Sequence, residues 1–188
     1  MTYTYNNSWS HNNKFTLFIY KFTLPRDSEF IMNVYTAHVR PQLEYASCLW
    51  NTGYIGDLKL LESIQRRWTK AIFEISELSY GDRLKALNLF SFKGRLIRAD
   101  LIMIWKILNN KCSIQFEDLF AISPVQFTRG HRYKNFPTHC SLDVRRRFFS
   151  VRVVNCWNSL SPNTVVAETL ESFKRCLYDL GDVLYQYH

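Results

Sequence analysis

The sequence predicts an all-α protein, one or more small helical bundles with the possibility of two helical subdomains joined by an irregular connector. Three observations predict it. Apolar residues recur at three- and four-residue spacing along residues 57–76, 91–109 and 162–184, the period of a helix with one buried face. Side chains that cap helices stand just ahead of such runs, as Ser79 does with Asp82 three residues on, and as Ser91 does. No sustained two-residue alternation punctuated by turns suggests a sheet.

Residues 1–30, rich in Asn around Trp9, carry neither period and read as a loosely ordered lead. From Glu29 the pattern turns helical, with Ile31, Val34, Tyr35 and His38 on one stripe. Helical geometry is disfavoured at Arg40 because Pro41 follows it. Pro41 can open a new helix carrying Leu43, Ala46 and Trp50, which Asn51, Thr52 and Gly53 end. Asp57 is the expected cap of the strongest helix. There Leu58, Leu61, Ile64, Trp68, Ala71, Ile72 and Ile75 recur on one face, and Lys59, Arg66, Arg67 and Lys70 lie on the other. A short helix follows Ser79 through Leu84 and Leu87. The helix after Ser91 buries Ile97, Leu101, Ile104, Trp105 and Leu108 and stops at Asn109-Asn110.

Residues 110–142 hold Pro124, Gly130 and Pro137 and no sustained period, so they read as a connector between subdomains 31–109 and 143–188. Phe149, Val153, Trp157 and Leu160 then return to helical spacing, although β-branched Val151, Val153 and Val154 leave a strand open as the alternative. After Pro162 a final amphipathic helix carries Leu170, Phe173, Leu177, Leu180 and Leu184.

Charge narrows the partners. Among 188 residues, 24 Lys and Arg face 16 Asp and Glu, a net charge of +8 and a pI near 9.3, which favours polyanions. The excess is concentrated. Residues 59–106 carry ten basic against five acidic groups and residues 126–156 seven against one, whereas the first 58 balance at four each. Solvated helix faces are the plainer reading of the same pattern.

Catalytic chemistry finds little support. A two-metal polymerase or nuclease needs clustered carboxylates, and Tyr80-Gly81-Asp82 offers one acid, read as a helix cap. Glu117-Asp118 reads as a solvated turn. Cys112, His131, His139, Cys140 and Cys156 lack zinc-knuckle spacing, so no metal site is expected. No glycine-rich phosphate loop occurs. Five scattered cysteines fit a reducing, intracellular compartment, and the apolar run Phe15–Leu24 is too short and too interrupted for a membrane span.

Cations beside rings remain. Arg129, Arg132 and Lys134 surround His131 and Tyr133, and Arg145, Arg146, Arg147 and Arg152 stand near Phe148, Phe149 and Trp157. Cations neutralise phosphates and rings stack on unpaired bases. Phe149 and Trp157 at helical spacing suit a core better, leaving Tyr133 and His131 as the stacking candidates.

Together these residues resemble a known family. Val39 to Ser47 (VRPQLEYAS), Trp50, and Leu61 to Arg67 (LESIQRR) are similar to the run that follows the catalytic domain in jockey-like non-LTR retrotransposon (LINE) reverse transcriptases. Further similar runs follow in order: Tyr80 to Leu89, Arg98 to Leu101, Lys106 to Leu108, Thr128 to His131 with Lys134, Arg145, Phe148 to Leu160, and Phe173-Lys174. Ser161 and Trp105 depart from the pattern. The resemblance implies a thumb and post-polymerase region in which residues 34 to about 77 belong to or follow the thumb. It implies RNA or DNA contact by Arg66, Arg67 and Lys70, and a palm with its paired aspartates and magnesium upstream of Met1. No catalytic residue and no cofactor are therefore expected in this chain. The catalytic part of a reverse transcriptase is a further candidate partner. A helical protein-interaction module, or a remnant of a truncated element, are the alternatives.

Overall fold

The computed structural model describes residues 28–51, 53–122, 131–136 and 139–181. The lead before residue 28, Thr52, Arg129 and Leu184 lie outside them. The fold is all-α: among the described residues there is no strand, and Ile122 and Asn135 form one isolated antiparallel bridge.

The chain passes Pro41 without leaving the helix. α1 (Ser28–Val34) runs into a π-helical turn (Tyr35–Val39) and then α2 (Arg40–Glu44). Arg40 keeps helical angles, φ −59° and ψ −46°, and its N–H donates to Tyr35 O, five residues back. Proline lacks an N–H and presses its ring on the carbonyl four residues earlier, and a widened turn relieves both demands. The break comes later than expected. Ala46 takes the left-handed region at φ +50°, Trp50 Nε1 donates to Tyr45 O across it at 2.6 Å, and α3 (Ser47–Trp50) follows. Ala46 and Trp50 are consequently exposed, and Leu43 alone of that stripe is buried.

α4 (Ile55–Lys70) starts ahead of its expected cap, so Asp57 sits inside the first turn, where a carboxylate still favours the helix dipole. Leu61, Gln65, Trp68 and Thr69 are its buried face and Lys59, Arg66, Arg67 and Lys70 are exposed opposite. A 3₁₀ turn (Phe73–Ile75) leads to α5 (Tyr80–Ala86), where Ser79 Oγ accepts from Asp82 N–H as expected. α6 (Phe92–Leu108) is capped by Ser91, whose Oγ accepts from Gly94 N–H, and it ends where Asn110 turns left-handed at φ +53°.

The region read as connector contributes to the core. α7 (Phe116–Leu119) brings Phe116 and Phe120 into the main hydrophobic cluster, beneath Phe149. After α8 (Asp143–Arg146) the valine-rich run is helical, α9 (Phe149–Asn158): Val153, Val154 and Trp157 share one face and bury there, so tertiary packing decides against the strand. The single final helix expected after Pro162 is two, α10 (Pro162–Val165) and α11 (Leu170–Asp179), the second capped by Thr169.

α6 is shared by everything around it. Its first half, through Phe92 and Leu96, packs with Leu43 and Leu61 of α2 and α4. Its second half, through Leu101, Ile104, Trp105 and Ile107, packs with α7, α9, α10 and α11. The two expected subdomains thus meet on one helix. Between its halves sits Asp100, gripped by Arg152 of α9 in a bidentate pair, Nε–Oδ2 2.8 Å and Nη2–Oδ1 2.9 Å. Arg152 also donates to Cys48 O of α3 at 3.0 Å and Arg147 O at 2.9 Å. Burial pushes the Asp100 carboxyl up, and Arg152 pulls it back toward the charged form.

Arg152→Met is expected to cost about 3–5 kcal/mol of unfolding free energy, because it strands a buried carboxylate. Burial then acts on Asp100 without opposition, so its folded-state pKa rises further above the unfolded value. Stability from such a group is present below the unfolded pKa and lost as pH rises through the folded one. Urea titrations of both proteins are therefore expected to show the variant's deficit shrinking as pH falls through the carboxylate range and growing toward neutrality.

Candidate nucleic-acid interface

The polar residues of the family-like runs divide into an internal set and an external set. Internally, Gln65 of α4 donates through Nε2 to Phe90 O at 2.9 Å, and its Oε1 accepts from Tyr35 OH at 2.7 Å and from Arg95 Nη1. Arg95, almost wholly buried on α6, also donates to Tyr35 OH at 3.0 Å and lies in an ion pair with Glu44, which Arg40 joins at 2.9 Å. Glu62 accepts from Phe92 N–H at 2.9 and 3.1 Å, a carboxylate at the start of α6. The Tyr80 hydroxyl donates to the same Glu62, and burial together with that carboxylate holds the phenol strongly up in pKa. Arg83 donates to Leu78 O at 2.6 Å, and Arg98 to Lys174 O at 3.1 Å.

The segment around residue 131 is likewise anchored inward. His131 is buried edge-on to Trp157, ring centroids 5.7 Å apart at 77°, with Nε2 3.0 Å from Trp157 O. A carbonyl only accepts, so Nε2 carries the proton and donates. Trp157 Nε1 donates to Tyr133 O at 2.8 Å. Asn158 imitates a strand partner, accepting from Asn135 N–H at 2.9 Å and donating to Asn135 O at 2.8 Å.

Two expectations are corrected by this geometry. His131 has no exposed face on which a base could stack. Tyr133 is half-buried against the main core, and its ring lies under the Arg132 guanidinium, 4.8 Å from the centroid, with Arg132 Nη2 donating to its hydroxyl at 2.8 Å. Arg152, read from sequence as a phosphate contact, is instead consumed by Asp100 and two carbonyls. Its distance of 52 residues from Asp100 left no local signal of that role.

The external set is smaller than the sequence suggested. On α4, Arg66, Arg67 and Lys70 are exposed, with Arg66 resting on the Tyr80 ring at 4.4 Å. On α8, Arg145 and Arg146 are exposed; Arg145 lies over Phe148 at 5.0 Å and Arg146 Nε donates to Cys140 O at 3.0 Å. Among the described residues neither forms an ion pair with a carboxylate. Arg147 is paired with Asp143 at 3.0 Å and covers Tyr54 at 4.0 Å, which joins α8 to the turn that opens α4. Arg132 is exposed and Lys134 half-buried. Arg66 lies eleven residues beyond the start of α4, roughly 16 Å along its axis at about 1.5 Å per residue.

No group of three or more His, Cys, Asp or Glu side chains that could hold a metal ion is present among the described residues. The Cys48 thiol is pushed up to about 12, first by burial and then by Asp100, the reverse of an activated nucleophile. No helix among the described residues is long and apolar enough to cross a membrane. Comparison with protein families, with curated proteins and with solved structures found no match for the chain.

The His131 anchor carries a pH dependence. Burial lowers its pKa, with the Trp157 carbonyl opposing and Lys134 adding to the shift. Stability from a depressed pKa is present above the unfolded value and lost as pH falls through the folded one. The protection factors of the amides over residues 131–136, exchange rates corrected for their intrinsic pH dependence, are expected to fall below about pH 6.5, the ordinary histidine value, and His131→Gln is expected to abolish that acid-dependent loss.

Proposed function

We propose that the chain is a non-catalytic, post-polymerase helical region of a non-LTR retrotransposon reverse transcriptase that binds RNA or DNA through Arg66, Arg67 and Lys70 of α4 and Arg145 and Arg146 of α8. One observation carries the reading. The runs that resemble the family, scattered over more than a hundred residues, are hydrogen-bonded to one another, Glu62 with Tyr80, Asp100 with Arg152, Arg98 with Lys174 and His131 with Trp157, and to residues between the runs, Glu44 with Arg95, Gln65 with Tyr35 and Glu62 with Phe92. Residues that interlock in this way belong to a single architectural unit, and the cations left outside it are the ones free to meet phosphates.

In this reading each exposed guanidinium or ammonium neutralises a phosphate and releases a counterion, so affinity falls with salt in proportion to the number of contacts. Arg66 and Arg145 rest their guanidinium groups on the Tyr80 and Phe148 rings, which reduces the conformational entropy lost on contact. Polymerisation itself is assigned to a separate palm, with its own carboxylates and magnesium, and not to this chain.

Arg145→Gln with Arg146→Gln is expected to weaken binding of all single-stranded RNA sequences alike and to flatten the plot of log affinity against log salt by about 0.7 per lost contact. Arg66, Arg67 and Lys70 changed together to Gln are expected to flatten it further. Tyr133→Ala leaves the slope unchanged. A slope identical to the parent's in both charge variants contradicts the assignment.

A further inference from the structure

Charge is unbalanced on the flank of α6 that faces away from Asp100. Arg95 and Arg98 stand about one turn apart there, since Arg98, two residues from Asp100, lies on nearly the opposite side of a helix with about 3.6 residues per turn. Arg40 of α2 closes over the same flank, because it and Arg95 meet a single atom: Arg95 Nε lies 2.5 Å and Arg40 Nε 2.9 Å from Glu44 Oε1. From the other side α11 brings the Lys174 carbonyl, which accepts from Arg98 Nη1 at 3.1 Å. Three guanidinium groups thus gather around one carboxylate.

Glu44 is taken up by Arg95. That side chain is 2% exposed, and a cation so buried requires an anion beside it. Their charges cancel, so three cations less one anion leave two positive charges, those of Arg40 and Arg98. Burial first, and then the Arg40 charge, lower the Arg98 pKa, with the Tyr178 phenol opposing. Arg40 therefore acts on Arg98 as a like charge, an arrangement that costs free energy until an anion joins them. Both belong to the internal set, yet each has N–H groups to give. Among the described residues Arg40 directs Nε to Glu44 and Arg98 directs Nη1 to Lys174 O, one donor of five in each. The Arg40 side chain is 37% exposed and Arg98 is half-buried, so the pair opens to solvent where α2 and α11 approach α6.

Planar guanidinium forks match the oxygens of a phosphate, with two parallel bonds to each. Charge selects among phosphates. A monoester carries about −1.5 to −2 near pH 7 and balances two cations, whereas a backbone diester carries a single negative charge and leaves one cation over.

We propose that Arg40 and Arg98 form a binding site for a phosphate monoester, with Arg95 neutralising Glu44 beside it. Inorganic phosphate, a small phosphorylated compound and the terminal phosphate of a nucleic-acid strand all present this chemistry. The site is separate from the cations of α4 and α8 and does not rest on the reverse-transcriptase reading.

The test titrates the full chain with inorganic phosphate by calorimetry at constant ionic strength, with dimethyl phosphate as the monoanionic control. Saturable binding of phosphate is expected, and dimethyl phosphate is expected to bind more weakly. Arg40→Gln is expected to weaken phosphate binding about tenfold, the loss of one hydrogen bond between charged groups. Arg40 reaches the surface, so this variant is expected to melt close to the parent, and Arg98→Gln is expected to show the same loss. Arg66, Arg67 and Lys70 changed together to Gln are expected to leave phosphate binding as it is. A 5′-phosphorylated RNA that the parent binds more tightly than its 5′-hydroxyl counterpart, and Arg40→Gln binds equally, supports the proposal and assigns the site to a strand end. Saturable phosphate binding with no preference between the two RNAs supports it and assigns the site to a free phosphate compound. Absence of saturable phosphate binding, equal affinity for dimethyl phosphate, or unchanged affinity in Arg40→Gln overturns the proposal. So does an equal loss in the α4 variant, which reports general charge attraction.

Discussion

The Asp100–Arg152 pair is the constraint on which the arrangement of the rest turns. Asp100 sits at the middle of α6, where the packing with α2 and α4 gives way to the packing with α7, α9 and α11. Arg152 uses four of its five N–H donors at once, toward the carboxylate, toward Cys48 O and toward Arg147 O. A buried pair of this kind adds little net stability over well-packed apolar residues, since desolvation offsets its attraction. What it supplies is register. The rotation of α9 that brings Arg152 to Asp100 also turns Val153, Val154 and Trp157 into the core.

A division of labour among the arginines follows from this arrangement. Arg95 and Arg152 are buried and spend their donors on the protein itself, and Arg98 and Arg83 likewise reach backbone carbonyls. Arg66, Arg67 and Arg145 lie outside that network, and Arg146 spends one donor on Cys140 O while its side chain stays exposed. Total charge therefore overstates the phosphate-binding capacity of the chain, because several of its cations are structural. The guanidinium's planar fork suits it to such internal bridging, where each N–H needs a separate acceptor.

Local chemistry was legible in the sequence and distant pairing was not. Ser79, Ser91 and the stop at Asn109-Asn110 lie within four residues of the backbone groups they serve, and each was found where expected. Helical spacing likewise located part of each buried face, Leu61 and Trp68 of α4, Leu101, Ile104 and Trp105 of α6, and Phe173 and Leu177 of α11, but in α6 Ile97 and Leu108 are only half-buried and Arg95 is buried. Pro41 misled, because the rule against helix before proline ignores a π turn that absorbs the ring. Asp57 misled because α4 begins at Ile55, with Tyr54 as its cap residue. Val151 to Val154 admitted a strand until burial against α6 decided the matter. Arg152 and His131 were unreadable as structural residues because their partners lie 52 and 26 residues away, and a cation beside rings looks the same in sequence whether it faces phosphate or a carboxylate.

The division between internal and external arginines is open to one direct measurement. Phenylglyoxal modifies accessible guanidinium groups, and peptide mass spectrometry reports the extent at each position, with and without saturating single-stranded RNA. The account requires Arg95 and Arg152 to be unreactive in both states, and Arg66, Arg67, Arg145 and Arg146 to react in the free protein and to be protected by RNA. Ready modification of Arg152 in the free protein, or RNA that protects none of the four exposed arginines, contradicts it.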